Sequence, residues 1–396
     1  MGTNLKESDK DLSRLESWLV IVGVTLSPLW FITPFKINII PTDILLIIVA
    51  IIYVCRSGNY PLLSSKWVNI GFLIFLFSAS ISTIFSPVPI RSLFGIFQYM
   101  IIFFIVIPFV YLAATNRRSQ YYMILGLFGT LGMLLVITVV ESLEVNQLRN
   151  INLWYSNKNQ LYWLIASIGI LCMYLAASEE YSPITRIMAL SIVPITVLFV
   201  VFSYTFSGII LLSVSIWFLL LLLVVWKYGR GILLAIYLGL SIIAGLISSY
   251  IIYLIWDVIW VQGNIESRQL QYGAAVQATN IYPPFGYGLQ SENIVIEGIM
   301  PIGPATTIHN LWLSFLVEVG IVGVIGFMIA MVAWFREVIV TNIQNISRIP
   351  FIYLASSAIF LGMLTFTLFH YPQVRRFWWI MFAISWASIS DINASD

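Results

Sequence analysis

The sequence carries little charge. Only 9% of its 396 residues are Asp, Glu, Lys or Arg, whereas soluble domains carry about 25%. Hydrophobic residues make up 60% of the chain, and the mean hydropathy is +0.96. The net charge of +2 is too small to indicate nucleic-acid binding, and the basic residues are spread between apolar segments. This composition excludes a water-soluble protein and favours an all-α polytopic membrane protein.

Cysteine and histidine are also scarce. Cys55 and Cys172 are the only cysteines, and because they fall in or at the edge of apolar segments they predict no disulfide framework. No group of Asp, Glu, His or Cys residues has metal-ligand spacing. The chain also lacks the glycine-rich motifs that bind nucleotides. We therefore expect neither a metal ion nor another cofactor.

Long apolar segments dominate what is present. A bilayer core of about 30 Å is crossed by about 20 apolar residues in a helix. By this measure we predict about twelve transmembrane helices within one integral membrane domain, residues 1–396. The candidate spans are 18–34, 39–55, 67–85, 92–114, 121–140, 160–177, 187–205, 208–226, 232–256, 311–335, 351–369 and 377–390. Few residues separate 187–205 from 208–226, so that about eleven spans also fit.

The distribution of basic residues predicts the orientation. With the N-terminus inside, 12 of the 19 Lys and Arg residues fall in inner segments, as the positive-inside rule requires. We therefore expect both termini in the cytoplasm. The long polar segment 257–310 then forms one large extracytoplasmic loop with short helices, on the outer face of the cytoplasmic membrane.

The spans themselves hold few ionisable groups. Nearly every charged residue, including Asp43 and Glu318, falls in a loop or near a span end. A proton- or ion-coupled carrier keeps such groups near the bilayer midplane, where the ion is held. This distribution argues against a coupled carrier and directs attention to the loop.

Two residues of the loop are the main candidates for chemistry. His309 stands where the loop enters an apolar helix, where an imidazole can act as a base near neutral pH. The alternative, which the pair taken alone slightly favours, is that His309 and Asn310 form a cap at the helix start. Arg268 can bind phosphate through its guanidinium fork, or it can extend towards lipid headgroups.

Other polar positions carry weaker signals. Residues 283–288, Pro-Pro-Phe-Gly-Tyr-Gly, predict an ordered turn. Glu292 and Glu297 can act as bases, although the stronger interpretation is that they are solvated loop carboxylates. Asn157, Lys158 and Asn159 open the sixth span, where they can bind a glycan or phosphate or cap the helix. Arg375 and Arg376 lie in a short outer turn, followed by Trp378 and Trp379, a pair typical of an interfacial aromatic anchor.

Taken together, these features resemble the O-antigen ligase and O-antigen polymerase superfamily of bacterial envelope glycan enzymes. Six sequence segments carry the resemblance through their order and their spacing. They are RSLFGIFQY at 91–99, NKNQ at 157–160, SYTFSG at 203–208, YPPFGYG at 282–288 after Arg268, HNLWL at 309–313 and EVGIVG at 318–323.

The resemblance implies a GT-C-like, metal-independent glycosyltransferase of surface polysaccharide or lipopolysaccharide biosynthesis. Such enzymes take a glycan from a polyprenyl diphosphate, such as undecaprenyl diphosphate, and attach it to an acceptor hydroxyl by one inverting displacement. The acceptor is a lipid-anchored core sugar in a ligase and the end of another carrier-linked repeat in a polymerase, and both remain open. Membrane lipids surround the enzyme.

The resemblance also implies the site residues. Arg268 and His309 map onto the family's catalytic pair. Family members often carry an arginine in the tight turn that here reads Thr-Phe-Ser-Gly at 205–208. The second phosphate-binding cation is then expected elsewhere. The full predicted set that binds diphosphate and glycan is Arg91, Asn157, Lys158, Asn159, Tyr287, Asn310, Arg375 and Arg376.

Two other classes of function remain as alternatives. One is a transporter or flippase of the same lipid-linked glycans, which would need an internal repeat and a polar central cavity. The other is a non-catalytic scaffold of the envelope assembly machinery, which would tolerate the loss of both Arg268 and His309. The sequence shows no internal repeat of fixed period.

Overall fold

The computed structural model describes most of the chain as helices. The described residues are 11–28, 40–61, 63, 65–145, 158–178, 181–202, 211–221, 259–281, 284–299, 308–345, 350–368 and 376–389. Every regular element in these ranges is helical, and none of them is a strand. The prediction of an all-α fold is confirmed for this part of the chain.

The described ranges contain fifteen α-helices and two π-helical segments. In chain order they are α1 Arg14–Leu26, α2 Pro41–Ser57, α3 Lys66–Ile84, α4 Pro89–Met100, a π-helical segment Ile101–Val106, α5 Ile107–Thr115, α6 Arg117–Val145, α7 Lys158–Ala177, α8 Pro183–Phe202, α9 Leu211–Leu221, α10 Ile259–Ile281, α11 Glu292–Ile299, α12 Leu311–Trp334, a second π-helical segment Phe335–Val340, α13 Thr341–Gln344, α14 Phe351–Phe366 and α15 Arg376–Trp386. The polar segment 257–310 therefore contains α10 and α11.

Three helical stretches in the described ranges are long and apolar enough to cross a membrane. They are Lys66–Ile84, Pro89–Thr115 and Leu311–Gln344. Shorter apolar helices include Pro183–Leu198 and Ile352–Phe366. Eleven of the predicted spans coincide at least in part with a helix, and span 232–256 lies outside the described residues. The total number of spans stays a prediction.

Helices α3 and α12 cross at glycine. A Cβ atom built on Gly71 would lie 2.5 Å from the carbonyl oxygen of Gly326 and 2.6 Å from the amide nitrogen of Ala330. A Cβ atom on Gly326 would lie 2.7 Å from the amide nitrogen of Phe75. Small residues are what allow two membrane helices to approach so closely. This crossing fixes α12, which carries much of the site, against α3.

Aromatic rings fill the centre of the bundle. The rings of Phe72 and Phe103 stack with their centroids 3.9 Å apart. The prediction that Trp378 and Trp379 anchor the protein at the membrane interface is wrong, because both are 0% exposed. Trp378 stacks on Phe360 at 5.5 Å. Helix α15 is buried throughout its length, so its tryptophans pack inside the protein.

A buried ion pair joins α2 to α15. The Arg376 guanidinium donates to both carboxylate oxygens of Asp43, at 2.7 and 2.6 Å. Asp43 also accepts a hydrogen bond from the Ile40 amide at 3.1 Å. Both side chains are at most 2% exposed. Removal of either partner of such a pair is strongly destabilising, because the other charge is then buried without compensation.

Candidate active site

Helix α12 is broken at Gly320, and the turn that follows α10 occupies the break. The backbone angles of Gly320 are φ 65° and ψ −176°, which are not helical. A break of this kind leaves carbonyl groups without a helical partner. The amide of Tyr287 donates to the carbonyl of Val317 at 2.9 Å, and the amide of Gly288 donates to that of Glu318 at 2.8 Å. The predicted turn therefore completes the hydrogen bonding of the helix.

Further hydrogen bonds close the other side of the break. The Ser78 hydroxyl of α3 donates to the carbonyl of Val319 at 2.6 Å. The amide of Val322, at the start of the second half of α12, donates to the carbonyl of Pro284 at 3.3 Å. The loop thus binds both halves of α12 through its main chain.

Glycines make this contact possible. A Cβ atom on Gly320 would collide with the carbonyl oxygen of Pro284, and its positive φ disfavours other residues. A Cβ atom on Gly286, which has φ +77°, would lie 2.6 Å from the carbonyl carbon of Glu318. The two glycine-containing motifs, 282–288 and 318–323, therefore pack against each other through their main chains.

The motif at 91–99 packs against the same turn. The Gln290 side-chain amide donates to the side-chain oxygen of Gln98 at 3.0 Å. A Cβ atom on Gly95 would lie 2.7 Å from the Cβ atom of Leu289. Helix α4 therefore joins α12 and the turn, so three of the motifs predicted from the sequence meet at one place.

His309 lies at the entrance of α12. Asn310 is the N-cap residue: its side-chain oxygen accepts from the Leu313 amide at 3.0 Å, and its side-chain nitrogen donates to the carbonyl of Leu368 at 3.0 Å. The Tyr272 hydroxyl donates to the carbonyl of His309 at 3.3 Å. The capping interpretation therefore holds for Asn310, and the cap fixes the backbone of the histidine before it.

Arg268 lies near the imidazole of His309. It stands one helical turn before Tyr272 on α10, on the same face. Burial and the positive charge of Arg268 lower the pKa of His309 below its usual 6.5. A neutral imidazole beside a guanidinium offers a proton acceptor and a cation at the same point.

Glu292, the first residue of α11, is buried. It is only 4% exposed, whereas Glu297 on the same helix is exposed. The Ser314 hydroxyl and the Ile308 amide donate to its carboxyl group. The expectation that Glu292 is a solvated loop carboxylate is therefore wrong, and the interpretation of Glu297 as a solvated residue agrees with its exposure.

Two more polar groups lie close to Glu292. Glu318, expected near a span end, is 0% exposed beside the break of α12, because the loop encloses that break. The Tyr99 hydroxyl of α4 is buried and has no hydrogen-bond partner among the described residues. It lies close enough to Glu318 and Glu292 to feel their charge. A buried hydroxyl without a partner can form its hydrogen bond with water or with a group of the substrate.

The remaining predicted site residues divide into four groups. Arg91 is exposed on the first turn of α4, and its positive charge acts on the carboxyl group of Glu292. The Tyr287 hydroxyl donates to the carbonyl of Ala278 at 3.2 Å, and Arg376 pairs with Asp43, so both bind within the protein. Lys158 and Asn159 begin α7. Asn157, Arg375 and the turn at 203–208 lie outside the described residues.

A groove of about 410 Å³ opens beside the turn. It lies between the end of α3 and α11, and Tyr287 forms part of its wall. The other lining residues are mainly apolar and include Ile84, Phe85, Ile294, Val295 and Ile299. Within the described ranges no three of His, Cys, Asp and Glu lie close enough together to hold a metal ion.

Sequence reasoning missed Ser314 and Tyr99 as members of this site, and it named Glu292 as a possible base but preferred to read it as a solvated carboxylate. A weak signal exists for Ser314, which lies one turn after Asn310 in an otherwise apolar segment. The burial of Glu292 and Tyr99 gave no local signal, because it results from contacts between distant segments.

The helical fold and the polar site at one end of α12 define an all-helical membrane protein with an enclosed polar centre beside an apolar groove. Residues 189–328 match a family model described as O-antigen ligase. This match supports the resemblance to the O-antigen ligase and polymerase superfamily that was found in the sequence. The match includes both Arg268 and His309. No curated protein sequence matches the chain.

Proposed function

We propose that the protein is a glycosyltransferase of the cytoplasmic membrane that transfers a glycan from polyprenyl diphosphate to an acceptor sugar hydroxyl on the outer face. The observation that carries this proposal is that the helix with Arg268, one turn before Tyr272, packs on the His309 carbonyl at the entrance of α12, near enough for the charge of Arg268 to act on the imidazole. The family match supports a ligase or polymerase role in surface polysaccharide synthesis. Both termini then lie in the cytoplasm.

His309 is the proposed general base. The acceptor oxygen attacks the anomeric carbon, its proton passes to a ring nitrogen of His309, and the bond from that carbon to the diphosphate oxygen breaks. The low pKa of His309 keeps the imidazole neutral and ready to accept a proton. One displacement of this kind inverts the configuration of the sugar.

Arg268 is the proposed electrostatic partner of the leaving group. Departure of the polyprenyl diphosphate builds up negative charge, and fixed arginines stabilise such charge without a metal ion. Arg91 is the second cation that we propose, because it is exposed on α4 and packs near the same loop. Lys158 and Arg375 remain proposed contacts of the donor.

The test is transfer by the purified protein in detergent. The donor is a lipid-diphosphate-linked oligosaccharide, EDTA is present, and products are separated on a gel. Lengthening ladders identify a polymerase, and transfer only to an added core-type acceptor identifies a ligase. We expect His309→Ala and Arg268→Ala to abolish transfer. The control Arg336→Ala, at an exposed position beyond the far end of α12, is expected to keep it.

Three outcomes would contradict the proposal. Full transfer by both site variants would show that the site is elsewhere. Product formation that stops in EDTA would contradict metal independence. Movement of labelled carrier lipid across liposomes, without any bond formation, would favour a flippase.

A further inference from the structure

The burial of Glu292 calls for a physical explanation. Helix α11 lies outside the three long membrane-spanning stretches, and a carboxyl group on a loop helix normally faces water. Burial of a carboxyl group is costly unless it is hydrogen-bonded. Glu297, five residues later on the same short helix, is exposed.

The contacts of Glu292 lie on both sides of His309. The Ile308 amide, which donates to its carboxyl group, belongs to the residue just before His309. The Ser314 hydroxyl, which also donates to it, lies on the first turns of α12 just after His309. Ile308 and Ser314 are both 0% exposed. A single carboxyl group thus connects the residue before His309 with the first turns of the helix after it.

We propose that Glu292 is a positioning residue that fixes the His309 imidazole by holding Ile308 against Ser314. The inference rests on the proposed function, in which His309 is the base. Asn310 and Tyr272 fix the helix start and the carbonyl of His309, and Glu292 fixes the backbone before it. A displacement of about 1 Å in a catalytic group can cost on the order of 100-fold in rate.

The surroundings of Glu292 predict a dependence on pH. Glu318 faces it from α12, Arg91 and Tyr99 face it from α4, and on α10 the charge of Arg268 acts on His309. Burial and the Glu318 carboxylate raise the pKa of Glu292 well above its usual 4.5, although Ser314, the Ile308 amide and Arg91 oppose that change. Loss of this proton at alkaline pH places a second negative charge beside Glu318 in a buried space, and this repulsion opposes the two hydrogen bonds that hold Ile308 and Ser314.

The first experiment compares three variants in the transfer assay. We expect Glu292→Ala to lower kcat on the order of 100-fold with little change in KM, because the substrate contacts remain. Glu292→Gln is expected to recover most of that loss, since a glutamine oxygen can accept the same two hydrogen bonds. Wild-type transfer falls at alkaline pH, whereas that of Glu292→Gln stays level. Glu297→Ala on the same helix is the matched control.

The second experiment needs no transfer activity. Diethyl pyrocarbonate modifies neutral imidazoles, and mass spectrometry of peptides separates His309 from His370, the only other histidine in the chain. We expect Glu292→Ala to speed modification of His309 several-fold relative to His370. Glu292→Gln and Glu297→Ala are expected to match the wild type.

The outcomes separate the two proposals. Absence of wild-type transfer, together with faster His309 modification in Glu292→Ala, would contradict the proposed function and leave the positioning role intact. Unchanged modification and unchanged kcat in Glu292→Ala would overturn the positioning role. If transfer falls equally at alkaline pH in Glu292→Gln and in the wild type, the role assigned to the proton of Glu292 is wrong.

Discussion

The backbone amide of Gly288 donates a hydrogen bond to the carbonyl oxygen of Glu318 at 2.8 Å, and so holds the turn that follows α10 inside the break of α12. The loop is therefore a structural part of α12, because it supplies hydrogen bonds that the helix itself lacks. His309, just before α12, and Glu292, at the start of α11, lie on either side of this contact, and main-chain hydrogen bonds fix their relative positions.

Replacement of Gly320 by alanine tests the contact between the turn and the break of α12. The positive φ and the collision with the Pro284 carbonyl predict a loss of about 1–3 kcal/mol in unfolding free energy, with loss of transfer because the turn is displaced. Thermal unfolding in detergent measures the first effect. Gly273→Ala is the matched control, since a Cβ atom there meets nothing within 4 Å. Equal unfolding temperatures for the two variants would contradict the prediction.

The pH dependence of transfer tests the pairing of His309 with Arg268. A base loses activity as it takes up a proton. Because the pKa of His309 is lowered, the acid limb of kcat/KM is expected below pH 6.5. Removal of a neighbouring positive charge raises the pKa of an imidazole, so Arg268→Gln is expected to move that limb towards neutral pH. The residual activity of this variant, or the pH dependence of His309 modification, provides the measurement. An acid limb that does not move would show that the two side chains are not coupled.

The buried ion pair distinguishes two roles for Arg376. Asp43→Ala leaves the Arg376 charge buried without its carboxylate, which is expected to cost about 3–5 kcal/mol in unfolding free energy. The double variant Asp43→Leu, Arg376→Met removes both charges and is expected to regain much of that stability. Transfer by the folded double variant would mean that Arg376 serves the fold. A stable double variant without transfer would support the sequence prediction that Arg376 binds diphosphate.

The glycine crossing of α3 and α12 predicts a position that tolerates no side chain. In Gly326→Ala the new Cβ atom meets main-chain atoms of α3 at 2.7 and 2.8 Å, and main chain cannot rotate away. Overpacking of this kind costs about 1–3 kcal/mol, which a lower unfolding temperature would show. Gly132→Ala on α6, where nothing lies within 4 Å, is expected to behave as the wild type. A stable, active Gly326→Ala protein would mean that the helices can separate at this point.

Local sequence was sufficient to predict the helices and the turn, because apolar length and the residues Pro and Gly act within a few positions. It was not sufficient to predict the break in α12. Residues 311–335 form an apolar segment, and Gly320 is compatible with an unbroken membrane helix. The break exists because Tyr287 and Gly288 supply its missing hydrogen bonds, and no local pattern shows that contact.

The same limit explains the misjudged side chains. Trp378 and Trp379 have a sequence typical of the membrane interface, yet the helices packed around α15 bury them. In the sequence Glu292 has the pattern of an ordinary loop residue, whereas in the fold Ser314 and Ile308 enclose it. The resemblance to a family was able to select Arg268 and His309, and the structure brings these two together, but their catalytic roles remain a prediction.

The ion pair between Asp43 and Arg376 has a consequence for biogenesis. The two residues lie 333 positions apart. At a synthesis rate of about 5–20 residues per second, Asp43 emerges tens of seconds before Arg376 exists. During that interval α2 carries a carboxylate whose ion-pair partner has not yet been made, so its first turn must remain in contact with water. Burial of this end of α2 therefore waits for α15, and the protein reaches its native packing only after nearly the whole chain has left the ribosome.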